Sequence, residues 1–232
     1  MERYDPTRRS IGWIAGSLLA MVLAASAAGA QEKRQELVPR MQGAQLVAAL
    51  QKGGKVILLR HTSTERHSDE TIKFVMEDCS TQRSLNDEGR REAKQIGEAF
   101  QKLGIQVDEV FSSPYCRTLE TGRIAFGKAT PTDTLSVGDA LSMDGKVDRG
   151  TEIRKMLDTP PAAGKNTVLI THTGNLLYAF GLDSKPEGIA HVFEPNGTGR
   201  PSYLGHLTPD EWVQLSGGQA VSGAGRDDAG KP

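Results

Sequence analysis

The chain has 232 residues, of which 37% are hydrophobic and 25% are charged, and its formal net charge is -1. This length supports one domain with a substantial core and is too short for two domains of ordinary size. A nearly neutral chain has no global positive field, so we expect no nucleic-acid partner. Any site for an anion must therefore be built locally.

Residues 1–30 have the pattern of a secretory signal peptide. Arg8 and Arg9 precede an apolar run from Ile11 to Ala27, and small residues then lead to the polar Gln31. The alternative is a membrane anchor, but an apolar run of about 17 residues is at the short end for a span. We therefore expect cleavage before Gln31, a secreted or periplasmic protein, and no stable membrane span after cleavage. The arginine pair also resembles a twin-arginine signal, and an ordinary signal with a chance arginine pair is equally compatible.

Residues 31–215 alternate between strand and helix patterns and predict one domain. In chain order we predict a short helix at 46–50, a strand at 56–59, an irregular loop at 62–84 and a helix from Asn86 to Gly104. A strand at 107–112, helices at 116–126 and 150–158, a strand at 167–171 and a helix from Leu176 follow. The last predicted elements are a hairpin of 189–194 with 202–207 and a short helix from Pro209. Residues 216–232, rich in Gly, Ser, Ala and charge, predict a disordered tail.

The alternation of strands and helices predicts the fold class. Val56 to Leu59 is a continuous apolar run, which is typical of a strand buried on both faces. We therefore predict an α/β three-layer sandwich, with a mostly parallel central sheet and helices on both faces.

Histidines and arginines follow three of the predicted strands. Arg60 and His61 follow the first, Arg117 begins the helix after the second, and His172 follows the third. Ligands of such folds bind beyond the carboxyl ends of the strands, so we expect the four side chains to share one site. Each alone has a structural interpretation: His172 suits a core position, and Arg117 could pair with Glu120 on its own helix. Together, cationic groups would repel one another unless an anion lies among them.

The chemistry of this group points to phosphate. Guanidinium groups match phosphate oxygens with two parallel hydrogen bonds, and the helices beginning near Arg117 and Gly174 add backbone donors. A neutral imidazole can attack phosphorus, which makes His61 a candidate covalent nucleophile. The neighbouring positive charges would stabilise the transition state. Because these side chains supply the charge, we expect no metal and no other cofactor.

Four motifs of the chain resemble those of the histidine phosphatase superfamily, also called the phosphoglycerate mutase-like family. Leu59–Thr64 is similar to its Arg-His-Gly-x-Thr motif, Leu85–Arg90 to its Leu-Thr-x-x-Gly helix start, Ser112–Thr121 to its Ser-Ser-x-x-x-Arg-Ala-x-x-Thr motif, and Val168–Asn175 to its second-histidine motif. The four occur in the family's order. Thr62 departs from the pattern, because it stands where the family usually has Gly or Ala.

The resemblance implies a phosphoglycerate mutase-like fold and a phosphatase that is phosphorylated on His61. It also implies that Arg60, Arg117 and His172 bind the phosphoryl group, with Thr64 as a further contact.

The family also uses an acidic residue, usually Glu, to protonate the leaving oxygen. Asp139 is the nearest match here and Asp144 is its rival, so the identity of the general acid stays open. The chain is short where mutases of the family carry insertions, and it begins with an export signal. It therefore resembles the small exported phosphatases, whose substrates are phosphorylated small molecules or envelope sugar phosphates. Two alternatives remain: a phospho-ligand binding module without turnover, and a phosphoryl mutase.

The two cysteines, Cys79 and Cys116, predict a disulfide. An even number of cysteines in an exported protein is often paired, and no Cys-x-x-Cys spacing suggests a metal or redox motif. The bridge would tie the polar loop to the motif of Arg117. The alternative is two unpaired, buried cysteines.

Overall fold

The computed structural model describes residues 37–65, 73–137, 143–182 and 184–218, with only the backbone described for residues 143–147. The predicted signal peptide and residues 219–232 of the predicted tail lie outside the described residues. No helix in the described part of the chain is long and apolar enough to cross a membrane.

Helices and strands alternate along the domain. The helices are α1 (Ala44–Gln51), α2 (Asp87–Lys102), α3 (Cys116–Phe126), α4 (Met143–Leu157), α5 (Thr173–Phe180) and α6 (Pro209–Leu215). The strands are β1 (Val56–Arg60), β2 (Val107–Ser112), β3 (Thr130–Pro131), β4 (Asn166–Thr171), β5 (Ala190–Glu194) and β6 (Ser202–Leu207). Short 3-10 helices lie at Cys79–Thr81 and Asp133–Leu135.

The six strands form one sheet in the order β3-β2-β4-β1-β5-β6. Strands β1 to β4 pair in parallel, whereas β5 pairs antiparallel with both β1 and β6. The predicted mostly parallel α/β sheet is therefore confirmed. The hairpin adds an antiparallel edge, because its short connection cannot return the chain to the starting edge of the sheet.

The apolar run of β1 is buried on both faces of the sheet. Ile57 and Leu59 belong to one core cluster, which includes Trp212 of α6. Val56 and Leu58 belong to the other, which includes residues of α4 and α5. Successive side chains of a strand point to opposite faces, so a strand covered on both sides needs apolar residues at every position. This arrangement is the predicted three-layer sandwich.

One predicted boundary is wrong. The helix expected over 150–158 begins earlier, at Met143, and ends at Leu157. Gly145 and Gly150 lie within this helix, although glycine destabilises helix interiors. Gly150 allows close packing of α4 on α5, since a Cβ there would lie 2.5 Å from the backbone oxygen of Tyr178.

Candidate active site

Three strand ends bring the predicted residues together at one edge of the sheet. His61 directly follows β1, and its backbone N–H donates to the carbonyl of Thr171 at the end of β4, at 3.0 Å. Ser113 directly follows β2 and bonds in the same way to the carbonyl of Ile170, at 2.9 Å. The parallel pairing therefore extends one residue beyond the strands and sets the positions of both histidine segments. His172 follows Thr171 and precedes α5.

Helix α2 supports the segment that follows His61. Asn86 caps this helix by accepting from the backbone N–H of Gly89 at 2.8 Å, and its own backbone N–H donates to the carbonyl of Ser63. A Cβ at Gly89 would lie 1.9 Å from the carbonyl oxygen of Ser63, so only glycine permits this approach. Glu92 completes the support, because its carboxylate accepts from the backbone N–H of Ser63 at 2.9 Å.

One hydrogen bond determines which nitrogen of His61 can react. Nδ1 lies 2.9 Å from the carbonyl oxygen of Thr62, which can only accept. Nδ1 of the neutral ring therefore carries the proton, and Nε2 carries a lone pair. The ring is 2% exposed, so its orientation is fixed by packing as well as by this bond. A nucleophilic His61 would attack through Nε2.

The second histidine is also neutral. Nδ1 of His172 lies 3.0 Å from a terminal nitrogen of Arg117, and Nε2 lies 2.9 Å from Oγ of Ser113. A guanidinium can only donate, so Nδ1 accepts and Nε2 carries the proton that it donates to Ser113. The rings of His61 and His172 meet edge to face with centroids 5.4 Å apart.

Burial and nearby positive charge both lower the pKa values of the two histidines. Burial lowers the pKa of His61 well below its usual value, and the nearby charge of Arg117 lowers it further. The pKa of His172 is also well below its usual value, first through burial and then through Arg117 and His61. Both rings are therefore uncharged at neutral pH. A bound anion would reverse part of this shift, because it favours the charged form of a nearby imidazole.

Thr62, the departure from the family pattern, has a structural partner. Its hydroxyl lies 3.2 Å from the hydroxyl of Thr121, which also accepts weakly from the backbone N–H of Thr62 at 3.3 Å. Thr121 in turn donates to the carbonyl of Arg117 at 2.8 Å. The larger residue therefore links the first motif to the Arg117 motif.

Sequence reasoning missed Glu187, which lies in the segment before β5. Its carboxylate accepts from Arg60 at 3.0 Å, from Arg83 at 3.3 Å and from the backbone N–H of Thr64 at 2.8 Å. The hydroxyl of Thr64 donates to the same carboxylate, at 3.1 Å to one oxygen and 3.2 Å to the other. One carboxylate oxygen lies 3.9 Å from Nδ1 of His61. Two predicted phosphate contacts, Arg60 and Thr64, thus converge on Glu187 in this structure.

Nothing in the sequence pattern distinguishes Glu187 or Arg83. Arg83 lies in the irregular loop before α2 and is one of many charged residues in that part of the chain. The only available signal for Glu187 is its position just before the predicted strand at 189–194. Contacts between loops leave no periodic pattern, so sequence reasoning had no means of pairing them.

The structure places Cys79 and Cys116 in a disulfide, with Cα atoms 5.7 Å apart. A hydrogen bond of 3.0 Å from the backbone N–H of Cys116 to Oε1 of Gln82 reinforces this connection. Gln82 directly precedes Arg83, and Cys116 directly precedes Arg117. The bridge therefore connects the loop of Arg83 with the start of the Arg117 helix.

An aromatic wall lies beside the second histidine. The ring of Tyr115 lies 5.0 Å from that of His172, and the guanidinium of Arg117 lies 4.6 Å from the centre of the Tyr115 ring. Phe74 packs on the other side of Tyr115, with ring centroids 5.5 Å apart, and is 47% exposed. The wall orients Arg117 and continues outward to solvent.

Neither candidate for the general acid has a described side chain. Asp139 lies outside the described residues, and only the backbone of Asp144 is described, in the first turn of α4. Among the residues whose side chains are described, no group of three or more His, Cys, Asp or Glu could hold a metal ion.

The segment that carries the first half of this site is similar to a known family. The model of the histidine phosphatase superfamily, branch 1, matches residues 56–137, which is less than half of the chain. The matched segment contains His61 and Arg117 and ends before His172. A search of curated proteins finds no match.

Several solved structures resemble the fold at low identity. A phosphoserine phosphatase from Entamoeba histolytica in complex with 3-phosphoglyceric acid has 14% identity and a TM-score of 0.49, over 68% of this chain and 99% of that one. The protein histidine phosphatase SixA complexed with tungstate has 15% identity and a TM-score of 0.48, over 67% and 97%. The SixA protein of Agrobacterium tumefaciens has 17% identity and a TM-score of 0.47, over 67% and 98%. Likenesses at this level assign neither a substrate nor a mechanism.

The similarity over residues 56–137 is to a superfamily of histidine phosphatases. His61, Arg117 and His172 are the candidate phosphoryl-handling residues of this chain, brought together by three neighbouring strand ends.

Proposed function

We propose that this protein is an exported phosphatase that hydrolyses phosphate monoesters through a phosphohistidine intermediate on His61. The observation that carries the proposal is the hydrogen bond from Nδ1 of His61 to the carbonyl of Thr62 at 2.9 Å. It holds a neutral ring in the tautomer whose Nε2 can attack phosphorus. His172 lies beside the His61 ring and is hydrogen-bonded to Arg117, so both side chains can contact the transferred phosphoryl group and stabilise its charge.

The first half of the reaction transfers the phosphoryl group to the protein. The lone pair of Nε2 of His61 forms a bond to phosphorus, and the bond from phosphorus to the ester oxygen breaks. The leaving oxygen takes a proton from a general acid and departs as an alcohol. His61 keeps its proton on Nδ1, so the phosphorylated ring carries one positive charge.

The second half restores the enzyme. A water molecule gives up a proton to the base form of the same acid and attacks phosphorus. The bond between phosphorus and Nε2 breaks, and its electron pair returns to the ring. We assign the acid to Asp139, with Asp144 as the rival, because the position of Asp139 best resembles that of the family's acid. His172 would contact the phosphoryl oxygens after gaining a proton, which the incoming negative charge favours.

The export proposal depends on the pattern of residues 1–30 together with the disulfide. Disulfides persist in oxidising compartments and are rare in reducing ones. The bond between Cys79 and Cys116 therefore supports a secreted or periplasmic location. Suitable substrates there are soluble phosphate esters and envelope sugar phosphates. Amino-terminal sequencing of exported protein should find Gln31 first, and a start at Met1 in a membrane fraction would contradict this part of the proposal.

Hydrolysis of p-nitrophenyl phosphate by the purified mature protein tests the activity. Its leaving group needs little protonation, so turnover should occur even if the acid is misassigned. Saturable phosphate binding without turnover would support the binding-module alternative instead. Transfer of phosphate to a second alcohol in preference to water would support the mutase alternative. A screen of soluble and sugar phosphate esters would then define the natural substrate class.

A further inference from the structure

Glu187 is a carboxylate in the middle of a site for an anion, and the proposed phosphatase mechanism does not use it. An unbalanced carboxylate would oppose phosphate binding. Hydrogen bonds to both of its oxygens hold the carboxylate in place. Thr64 binds it through the backbone N–H and the hydroxyl, and Arg60 and Arg83 bind it through their guanidinium groups.

The backbone around Glu187 is also held on both sides. The carbonyl of Ser184 accepts from Arg60 at 2.7 Å, and the backbone N–H of Gly188 donates to the carbonyl of His61 at 2.9 Å. The next residue, Ile189, accepts from the backbone N–H of Arg60 at 3.0 Å. The segment is therefore attached to the strand end that carries the nucleophile. These contacts anchor the carboxylate beside the His61 ring.

The ring of His61 changes charge during the proposed reaction. It is neutral when it attacks and cationic once Nε2 is bonded to phosphorus, because the proton on Nδ1 is retained. The carbonyl of Thr62 receives that proton's hydrogen bond, and a carboxylate oxygen of Glu187 lies 3.9 Å from the same nitrogen. A negative charge at this distance stabilises the charged form of the ring over the neutral form.

Three arginines near His61 lower its pKa, in the described structure Arg60 at the end of β1, Arg83 in the loop before α2 and Arg117 on α3. His172, which follows β4, is the other titratable group beside the ring and is uncharged. Burial and these arginines hold the pKa of His61 well below its usual value, so the ring is neutral and able to attack. The phosphoryl oxygens offset the guanidinium charges when substrate binds. Glu187 then remains beside Nδ1, where the new positive charge develops.

We propose that Glu187 is a positioning residue of phosphoryl transfer, whose anchored carboxylate balances the positive charge that the His61 ring acquires on phosphorylation. This inference rests on the proposed function. It assigns Glu187 a role in kcat and not in the binding of phosphate. It also predicts that Glu187 holds the proton on Nδ1 of the phosphorylated ring, which keeps the ring a good leaving group for hydrolysis.

Glu187→Gln is the decisive variant, because glutamine removes the negative charge and keeps one acceptor oxygen for Thr64, while an NH2 group replaces the other oxygen. We expect kcat for p-nitrophenyl phosphate to fall about 10- to 100-fold, a loss typical of removing one electrostatic contact to a transition state. The inhibition constant for inorganic phosphate should stay the same or decrease, because the pocket becomes more positive. The alkaline limb of the kcat profile should move to lower pH, because the phosphorylated ring loses its proton more easily.

A purely structural role for Glu187 predicts the opposite pattern. Loss of its anchoring would weaken phosphate binding and reduce activity equally at every pH, and this result would overturn the inference, as would an unchanged kcat. Glu187→Asp keeps the charge and should retain the alkaline limb of the wild type. Glu194→Gln removes an exposed carboxylate that pairs with Lys55 outside the site and should leave all three measurements unchanged.

The result can be separated from a failure of the proposed function. The wild-type protein is first tested for radiolabelled phosphate bound to His61 after rapid acid quenching. If the wild type takes up no label, the phosphohistidine mechanism itself is wrong. If the wild type is labelled and Glu187→Gln has the same kcat and pH profile, only the role of Glu187 is wrong.

Discussion

Nδ1 of His172 accepts a hydrogen bond of 3.0 Å from Arg117, so the second histidine and the second arginine of the site form a single unit. The pair joins the end of β4 to the first turn of α3. An incoming phosphoryl group would contact both partners, and their mutual hydrogen bond uses one of the five N–H donors of the guanidinium. Loss of either side chain should therefore impair the other.

Arg117→Ala should lower kcat/KM for p-nitrophenyl phosphate by an amount equivalent to about 2–4 kcal/mol of transition-state stabilisation. Arg117→Lys should recover only part of this loss, since lysine supplies the charge without the planar fork. Steady-state kinetics measure both effects. Arg123→Ala, an exposed arginine on the same helix, is the matched control and should behave as wild type. Equal activities of the Arg117→Ala and Arg123→Ala variants would refute the assignment.

His61→Ala should reduce turnover by at least about a thousandfold, because the variant lacks the proposed phosphoryl acceptor. Acid-labile radiolabel from substrate should attach to the wild type and not to the variant. His206→Ala changes an exposed histidine on β6 and should retain both turnover and labelling. Substantial turnover by His61→Ala would disprove the phosphohistidine mechanism.

The Cys79–Cys116 disulfide should stabilise the domain. Its sequence separation is 37 residues, and closing a loop of this length contributes roughly 4 kcal/mol in the chain-entropy model. The Cys79→Ser/Cys116→Ser protein should unfold at lower denaturant concentration than the wild type. Its KM should also rise, because the bridge holds the loop of Arg83 near the site.

Two measurements check this disulfide prediction. Ellman titration of denatured, unreduced wild type should detect no free thiol. A reducing agent should destabilise the wild type and have no further effect on the double serine variant. Two titratable thiols in the unreduced protein would contradict the predicted disulfide.

Asp139→Asn should slow the hydrolysis of alkyl phosphates far more than that of p-nitrophenyl phosphate. An alkoxide leaving group needs a proton in the transition state, whereas p-nitrophenolate needs little help. The acid must be protonated to act, so we expect an acidic pH optimum, at roughly 5–6. Asp144→Asn is the matched variant. If Asp144→Asn shows the selective loss and Asp139→Asn does not, the two assignments must be exchanged.

Buried neutral histidines should make the protein less stable in mild acid. Burial lowers the pKa of His191 from 6.5 to about 3, and the pKa values of His61 and His172 are also lowered. Between the folded and unfolded pKa values, the unfolded chain binds protons that the folded protein excludes. The contribution of these histidines to the free energy of unfolding should therefore be complete above about pH 6.5 and decrease as the pH falls below it.

Urea titrations from pH 5 to 8 measure this dependence. His191→Gln should have a smaller slope below pH 6.5, because it removes one of the three groups. Its side chain can still reach the neighbouring hydroxyl groups of Ser184 and Tyr203, which contact the imidazole nitrogens in the wild type. A flat profile for the wild type over this range would contradict the prediction.

The main elements of the fold could be predicted because they depend on local patterns. The apolar run of β1 needs no knowledge of its neighbours, since a strand covered on both faces must be apolar throughout. Asn86 was recognisable as a helix cap because the cap uses only the backbone that immediately follows it. The start of α4 could not be predicted, because Gly150 is favourable there only through its contact with Tyr178 on α5.

By itself, the sequence determined which residues meet at the ends of the strands. His61, Arg117 and His172 each follow a strand pattern, and parallel strands place their carboxyl ends at one edge of a sheet whatever the connections between them. Only the tertiary structure decided that Glu187 faces His61 and that Arg83 joins it. Both residues lie in irregular segments, whose course is set by packing and hydrogen bonds to distant parts of the chain. Such contacts leave no periodic pattern in the sequence, so they become visible only when the fold brings the segments together.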